Sequence, residues 1–207
     1  MRFVIIGGGP ITQYDAIASH LREDDFFVFC DGGLSHCEPL NVCPNLIVGD
    51  FDSHARPQTD IETIVLPREK DDTDTVFAIK EALNRGAKEI LMLGVIGARF
   101  DHSLGNIGAL MMLSSKGIKA SILDDYSQME IVSDAPITIE DNCKYFSLIA
   151  VGGSANGINI KNAKYPLENG KIDPEYQYGI SNEVLSGKCA EVRVEQGRLL
   201  LVKVYRE

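Results

Sequence analysis

The feature that most restricts this chain is an alternation that stops partway. Over the first ~125 of its 207 residues, short apolar runs alternate with segments of helical periodicity; beyond Tyr126 the helical periodicity disappears. Alternation of this kind predicts a parallel α/β sheet. The apolar runs are Phe3 to Ile6, Phe26 to Cys30, Leu46 to Val48, Thr63 to Val65, Ile90 to Leu93 and Ile118 to Leu123. Between them, Thr12 and Asp15 mark one helix start. Thr73 to Arg85 places Val76, Ile79 and Leu83 on one helical face and stops at Gly86. A further helix is predicted near Ser103 to Ser115, with Leu104, Ile107 and Met111 on its apolar face.

The second part reads as β structure only. Met129 to Val132, Ile137 to Ile139, Tyr145 to Val151, Ile158 to Ile160, Ala190 to Val194 and Leu199 to Tyr205 are short β-type runs, and Gln196-Gly197 suits a tight hairpin. The pattern predicts a small antiparallel sandwich or barrel. The boundary is expected near residues 124–128, dividing the chain into residues 1–126 and 127–207.

Composition narrows the partners. Hydrophobic residues make up 44% and charged residues 24%, ordinary values for a globular protein. No apolar run approaches the ~20 residues of a membrane span, and the start lacks the pattern of a secretory signal, so the expectation is a cytoplasmic protein with no membrane partner. The five cysteines are odd in number and contain no Cys-x-x-Cys pair, which suits reduced thiols. His36, Cys37 and Cys43 do not have a recognised zinc spacing. A net charge of −10 argues against a nucleic-acid partner. It also means that a polyphosphate substrate would need a divalent cation, such as magnesium, between itself and the protein.

The unusual residues fall just past the predicted strands, where open parallel sheets bind ligands. In Gly49-Asp50-Phe51-Asp52-Ser53, two carboxylates can reach one hard cation; alternatively, Asp52 or Ser53 caps a turn. Lys70-Asp71-Asp72-Thr73-Asp74 stands at a helix start, where Asp72 or Thr73 is a candidate N-cap. One cap does not explain three aspartates and a lysine. In Gly94 to His102, the glycines permit close approach of a ligand and Arg99 can fork onto phosphate oxygens. There Asp101 and His102 either orient Arg99 or cap the helix, and Asn106 follows about one turn later. Gly7-Gly8-Gly9 matches neither a Walker loop nor a dinucleotide loop, but its amides can approach a phosphate. Asp31, in Asp31-Gly32-Gly33, can accept from a ribose or hold the turn.

Taken in order, these pieces resemble the thiamine pyrophosphokinase family. Asp31-Gly32-Gly33, Gly49 to Ser53, Lys70-Asp71 with Thr73-Asp74, and Gly97-x-Arg99-x-Asp101-His102 carry the resemblance. Lys164 to Leu167 and Gly179 to Glu183 extend it into the second part. The resemblance implies a doubly wound, parallel-sheet ATP-binding domain, an antiparallel β-sandwich that binds thiamine, and a homodimer with active sites at its interface. It implies ATP and thiamine as substrates, with Mg2+ held by Asp50, Asp52 and Asp74. Gly8, Gly9, Asp31, Gly32, Gly33, Asp50, Ser53, Arg99, Asp101 and His102 would contact or support ATP. Lys70, Asp74, Tyr165, Ser181 and Asn182 would hold thiamine. Some relatives carry glutamine where this chain has Lys70. Asp71, Asp74 and Arg99 would be catalytic, one aspartate taking the proton of the thiamine hydroxyl as it attacks the β-phosphorus of ATP.

Two rival readings share features with this one. A metal-dependent nucleotide-sugar transferase also places paired aspartates after a strand, and a non-catalytic thiamine or nucleotide sensor would share the binding residues. The later Lys70–Asp74 and Gly97–Asp101 clusters favour the kinase over the first. The run of carboxylates with Arg99 favours it over the second.

Overall fold

The computed structural model describes residues 1–52, 57–69, 71–97 and 99–206. Two compact units divide the chain, Met1–Asp125 and Tyr126–Glu207.

The first unit contains β1 (Arg2–Ile6), α1 (Tyr14–Ala18), β2 (Phe26–Cys30), a 3-10 segment (Asp31–His36), α2 (Cys37–Leu40), β3 (Leu46–Gly49), β4 (Thr63–Val65), α3 (Asp74–Asn84), β5 (Glu89–Leu93), α4 (Phe100–Ser115) and β6 (Lys119–Leu123). Its strands pair in parallel in the order β4-β3-β2-β1-β5-β6. The chain walks outward from β1 to β4, then returns to lay β5 on the other side of β1. The topological switch point therefore lies between β1 and β5.

The central strand β1 is buried along its whole length, so it is apolar on both faces rather than alternating. Val4 and Ile6 pack with Phe27, Phe29, Leu91 and Leu93 against Ile17 and Leu40 of α1 and α2. By the strand's alternation, Phe3 and Ile5 face the opposite side. Helix α3 crosses β1, β2 and β3, while α4 packs on β6 and α3. Helices on both faces make the sheet doubly wound.

Two local expectations change in the fold. Thr12 does not cap α1: its hydroxyl and amide, with the amide of Gln13, donate to the carboxylate of Asp125 beyond β6. A tertiary anchor thus takes the place of a local cap. Helix α4 begins at Phe100, and its buried face is Ser103, Asn106, Leu110 and Leu113 rather than Leu104, Ile107 and Met111. Leu104 is 56% exposed. Polar Ser103 and Asn106 can be buried there because loop backbone satisfies them. On α3, Thr73 is the N-cap and accepts from the amide of Val76, while Asp72 pairs with Lys80.

The second unit contains β7 (Ser127–Val132), β8 (Ile137–Ile139), β9 (Tyr145–Ala150), β10 (Ala155–Lys161), β11 (Leu167–Ile172), β12 (Ala190–Arg193) and β13 (Leu199–Val204). These form antiparallel layers ordered β7-β13-β9 and β11-β10-β12-β8. Phe146, Leu148, Leu199 and Leu201 of one layer share a core with Ile139, Ile158, Ile172 and Val192 of the other, which makes a sandwich. Strand β11 was not expected from its sequence, Leu-Glu-Asn-Gly-Lys-Ile. Asn169 and Gly170 are residue types that disfavour strands, and the β10–β11 ladder accommodates them with register shifts. Among the described residues, no helix is long and apolar enough to cross a membrane.

At the amino edge of β1, Arg2 lies against Asp25, with both side chains buried. The guanidinium donates to both carboxylate oxygens at 2.7 and 2.6 Å and to the carbonyl of His20. Removing one partner leaves the other charged and buried. Asp25→Ala should therefore lower the stability of the first unit by about 3–5 kcal/mol, read as a reduced urea midpoint.

Candidate active site

Because all six strands of the first unit run in parallel, their carboxyl-end loops gather on one side. Two of these loops flank the switch point. Gly7 to Pro10 after β1 and Gly94 to Gly97 after β5 wall a cavity of about 310 Å3, joined by Thr75 of α3 and by Arg99, His102 and Asn106. That volume lies at the small end of ligand sites.

The two loops are locked together by backbone. The amide of Gly7 donates to Leu93 O, and that of Gly9 to Gly94 O at 2.7 Å. A Cβ on Gly9 would lie 2.6 Å from the same carbonyl, so only glycine permits this approach. Helix α4 holds the second loop from below. The Ser103 hydroxyl accepts from the amide of Gly97, and the Asn106 side-chain amide donates to Val95 O at 2.7 Å. Arg99, just before α4, is 71% exposed at its side chain and pairs with Asp101 at 2.6 Å. That bond holds the Asp101 carboxyl below the usual carboxylate range. An ion pair this exposed stabilises little, so Arg99 is available to exchange Asp101 for another anion. Asp101 lies in the first turn of α4 and is not its N-cap.

A second cluster forms after β2 and β3. One ligand atom each from Asp31, Asp50 and Asp52 lies within 4.8 Å of the others. A Cβ on Gly49 would sit 2.8 Å from that of Asp31, so a larger residue would push the two strand ends apart. Between the two loop aspartates, Phe51 has φ of 52°, an uncommon conformation for an aromatic residue and one that recurs at functional sites. Three converging carboxylates repel one another, and a cation among them relieves that repulsion. Their hard oxygen donors suit magnesium or manganese rather than a thiophilic metal.

Asp31 was expected to contact the nucleotide, and Asp74 to be the third metal ligand. Among the described residues the close group is Asp31, Asp50 and Asp52. Asp74 is the first residue of α3, next to cavity-lining Thr75, and Asp71 is exposed before it. Gly32 and Gly33 follow Asp31 in the 3-10 segment. A Cβ on cavity-lining Gly8 would lie 3.1 Å from Gly32, so the carboxylate cluster and the glycine loop adjoin. Ser53 and Lys70 lie outside the described residues. His36, Cys37 and Cys43 do not form a metal group among the described residues.

In the second unit, Tyr165, Pro166, Leu167, Tyr178, Ile180 and Asn182 help line a largely apolar cavity of about 280 Å3. Asn182 is buried and committed to backbone: its Oδ1 accepts from the amides of Tyr165 and Glu183, and its Nδ2 donates to Tyr165 O. It therefore fixes the position of Tyr165. Ser181 is exposed, with φ of 57°, and its amide donates to the Ser147 hydroxyl.

The fold and the site define a class: a doubly wound α/β protein with a ligand crevice at its switch point and a carboxylate cluster beside it, continued into a β-sandwich. The chain belongs to the thiamin pyrophosphokinase family. Residues 17–122 match the family's catalytic domain and residues 135–199 its vitamin B1 binding domain. The thiamine pyrophosphokinase of Bacillus subtilis (strain 168) is 28% identical over 192 residues, covering 89% of this chain and 90% of that one. The crystal structure of thiamine pyrophosphokinase from Bacillus subtilis superposes with a TM-score of 0.88 at 23% identity, covering both chains fully. That of thiamin pyrophosphokinase from Candida albicans gives 0.75 at 16% identity, covering 98% of this chain and 88% of that one.

If the three clustered carboxylates hold a cation, Asp31→Asn should weaken Mn2+ binding by roughly tenfold or more, as Asp50→Asn and Asp52→Asn should. Asp71→Asn should leave it within about twofold. Mn2+ titration followed by electron paramagnetic resonance checks this, and equal affinities for the Asp31 and Asp71 variants would contradict it.

Proposed function

We propose that this enzyme transfers the diphosphate group of ATP to the hydroxyl of thiamine, giving thiamine diphosphate and AMP. The observation that carries the reading is the carboxylate cluster Asp31, Asp50 and Asp52 adjoining a glycine-walled cavity that also presents Arg99. That arrangement provides for a polyphosphate in a chain whose net charge is −10.

Position supports the following roles. Asp31, Asp50 and Asp52 hold Mg2+, which when bound screens phosphate oxygens and makes the β-phosphorus more electrophilic. Gly8 and Gly9 bring backbone close to the nucleotide. Arg99 leaves Asp101 to fork onto phosphate oxygens, and Asp101 keeps it poised until then. Asp74 or Asp71, at the entrance to α3, accepts the proton of the thiamine hydroxyl. The bond from that oxygen to the β-phosphorus forms as the bond between the β-phosphorus and the α,β-bridging oxygen breaks, and AMP leaves. Tyr165, held by Asn182, and Tyr178 offer aromatic faces to the rings of thiamine and to its cationic thiazolium. The assignments of Ser53 and Lys70 to ATP and thiamine rest on the resemblance.

We extend the reading to a cytoplasmic homodimer. No disulfide joins any of the five cysteines, as a reducing compartment favours. Phe100 and Leu104 on α4 are 71% and 56% exposed, an apolar face suited to a second copy.

With ATP, Mg2+ and thiamine, the purified protein should release AMP and thiamine diphosphate in equal amounts. Both products should disappear with a chelator, and Asp52→Asn should slow turnover by at least ~100-fold. ADP with thiamine monophosphate would contradict transfer at the β-phosphorus.

A further inference from the structure

We propose that His36 is a positioning residue for the nucleotide loop, acting through the carbonyl of Gly9. His36 ends the 3-10 segment after β2 and is only 6% exposed. Its Nε2 lies 2.9 Å from Gly9 O, and its Nδ1 lies 2.9 Å from the hydroxyl of Tyr14 on α1.

These two contacts determine the tautomer. A carbonyl can only accept, so Nε2 carries the proton and donates. In the neutral ring Nδ1 is then an acceptor, and the Tyr14 hydroxyl donates to it. Burial favours the neutral ring, and Asp125 is the charged group that acts against this preference.

The residue after Gly9 explains why its carbonyl needs a partner. Pro10 has no N–H, so the Gly9–Pro10 peptide presents an acceptor and no donor. Both residues line the cavity. An uncompensated carbonyl oxygen there would repel the phosphate oxygens of a nucleotide. The Nε2–H of His36 ties that oxygen down, while the Gly9 amide is fixed on Gly94 O. Asp125 anchors the amides of Thr12 and Gln13 at the far end of the same loop. Three elements outside the loop thus hold its peptide planes, and His36 compensates the one carbonyl whose peptide lacks a donor.

This inference rests on the proposed ATP-dependent activity. The test is steady-state kinetics of the full chain with ATP and thiamine varied separately, for the wild type, His36→Leu, His36→Gln and Tyr14→Phe. His36→Leu should raise the KM for ATP about tenfold, with kcat and the KM for thiamine within about twofold. His36→Gln, whose side-chain amide can still donate to Gly9 O, should recover most of the loss. Tyr14→Phe, which frees the tautomer, should raise the KM for ATP about threefold, and it decides the matter if His36→Leu does not fold. An unchanged KM for ATP in His36→Leu or Tyr14→Phe overturns the role of His36 while leaving the activity standing. So does a fall in kcat alone that tracks the folded fraction. A wild type that makes no thiamine diphosphate overturns both.

Discussion

The parallel pairing of β1 with β2 on one side and β5 on the other is the constraint on which the first unit depends. Parallel strands place their carboxyl ends together, so loops far apart in sequence become neighbours without any contact having to be arranged between them. Gly7 to Pro10, Asp31 to Gly33, Gly49 to Asp52 and Gly94 to Gly97 meet for this reason. The reversal of strand order between β1 and β5 opens the crevice. Apolar β1, buried on both faces, keeps it in register.

Glycine and buried polar side chains refine what the topology provides. Gly9 and Gly49 allow approaches that a Cβ would block. His36, Ser103, Asn106 and Asp125 each satisfy loop backbone from a neighbouring element. Such groups are costly to bury unless fully bonded, and here the bonds go to the loops that wall the cavity. The walls of the cavity are thus held in place by bonds from outside the loops. Arg99, exposed and weakly paired, keeps the freedom to change partners.

Much of this was legible in the sequence because it is carried by local pattern. The change of texture near Tyr126, the strand ends rich in glycine and aspartate, and the cap at Thr73 all depend on neighbours along the chain. What was not legible depends on tertiary partners. The first turns of α4 bury polar Ser103 and Asn106 because these serve a loop, while Ala109, Leu110 and Leu113 are buried further along, so hydrophobic periodicity pointed to Leu104 instead. Asp31 joins Asp50 and Asp52 through the adjacency of β2 and β3, which no spacing along the chain records. Nor does spacing reveal the bond from His36 to Gly9 or the bonds by which Asn182 holds Tyr165.

The proposed function requires that ATP occupy the crevice at the switch point, with its phosphates directed to the carboxylate cluster. Amide hydrogen exchange with and without α,β-methylene ATP and Mg2+ tests it most directly. That analogue carries a methylene in place of the oxygen between the α- and β-phosphorus atoms, so it binds without being cleaved. Slowed exchange is expected only in Gly7 through Gln13, Asp31 through Ser35, Gly49 through Asp52, Val95 through Gly97 and Arg99 through Asn106. Protection that left these loops unchanged and appeared elsewhere would contradict it.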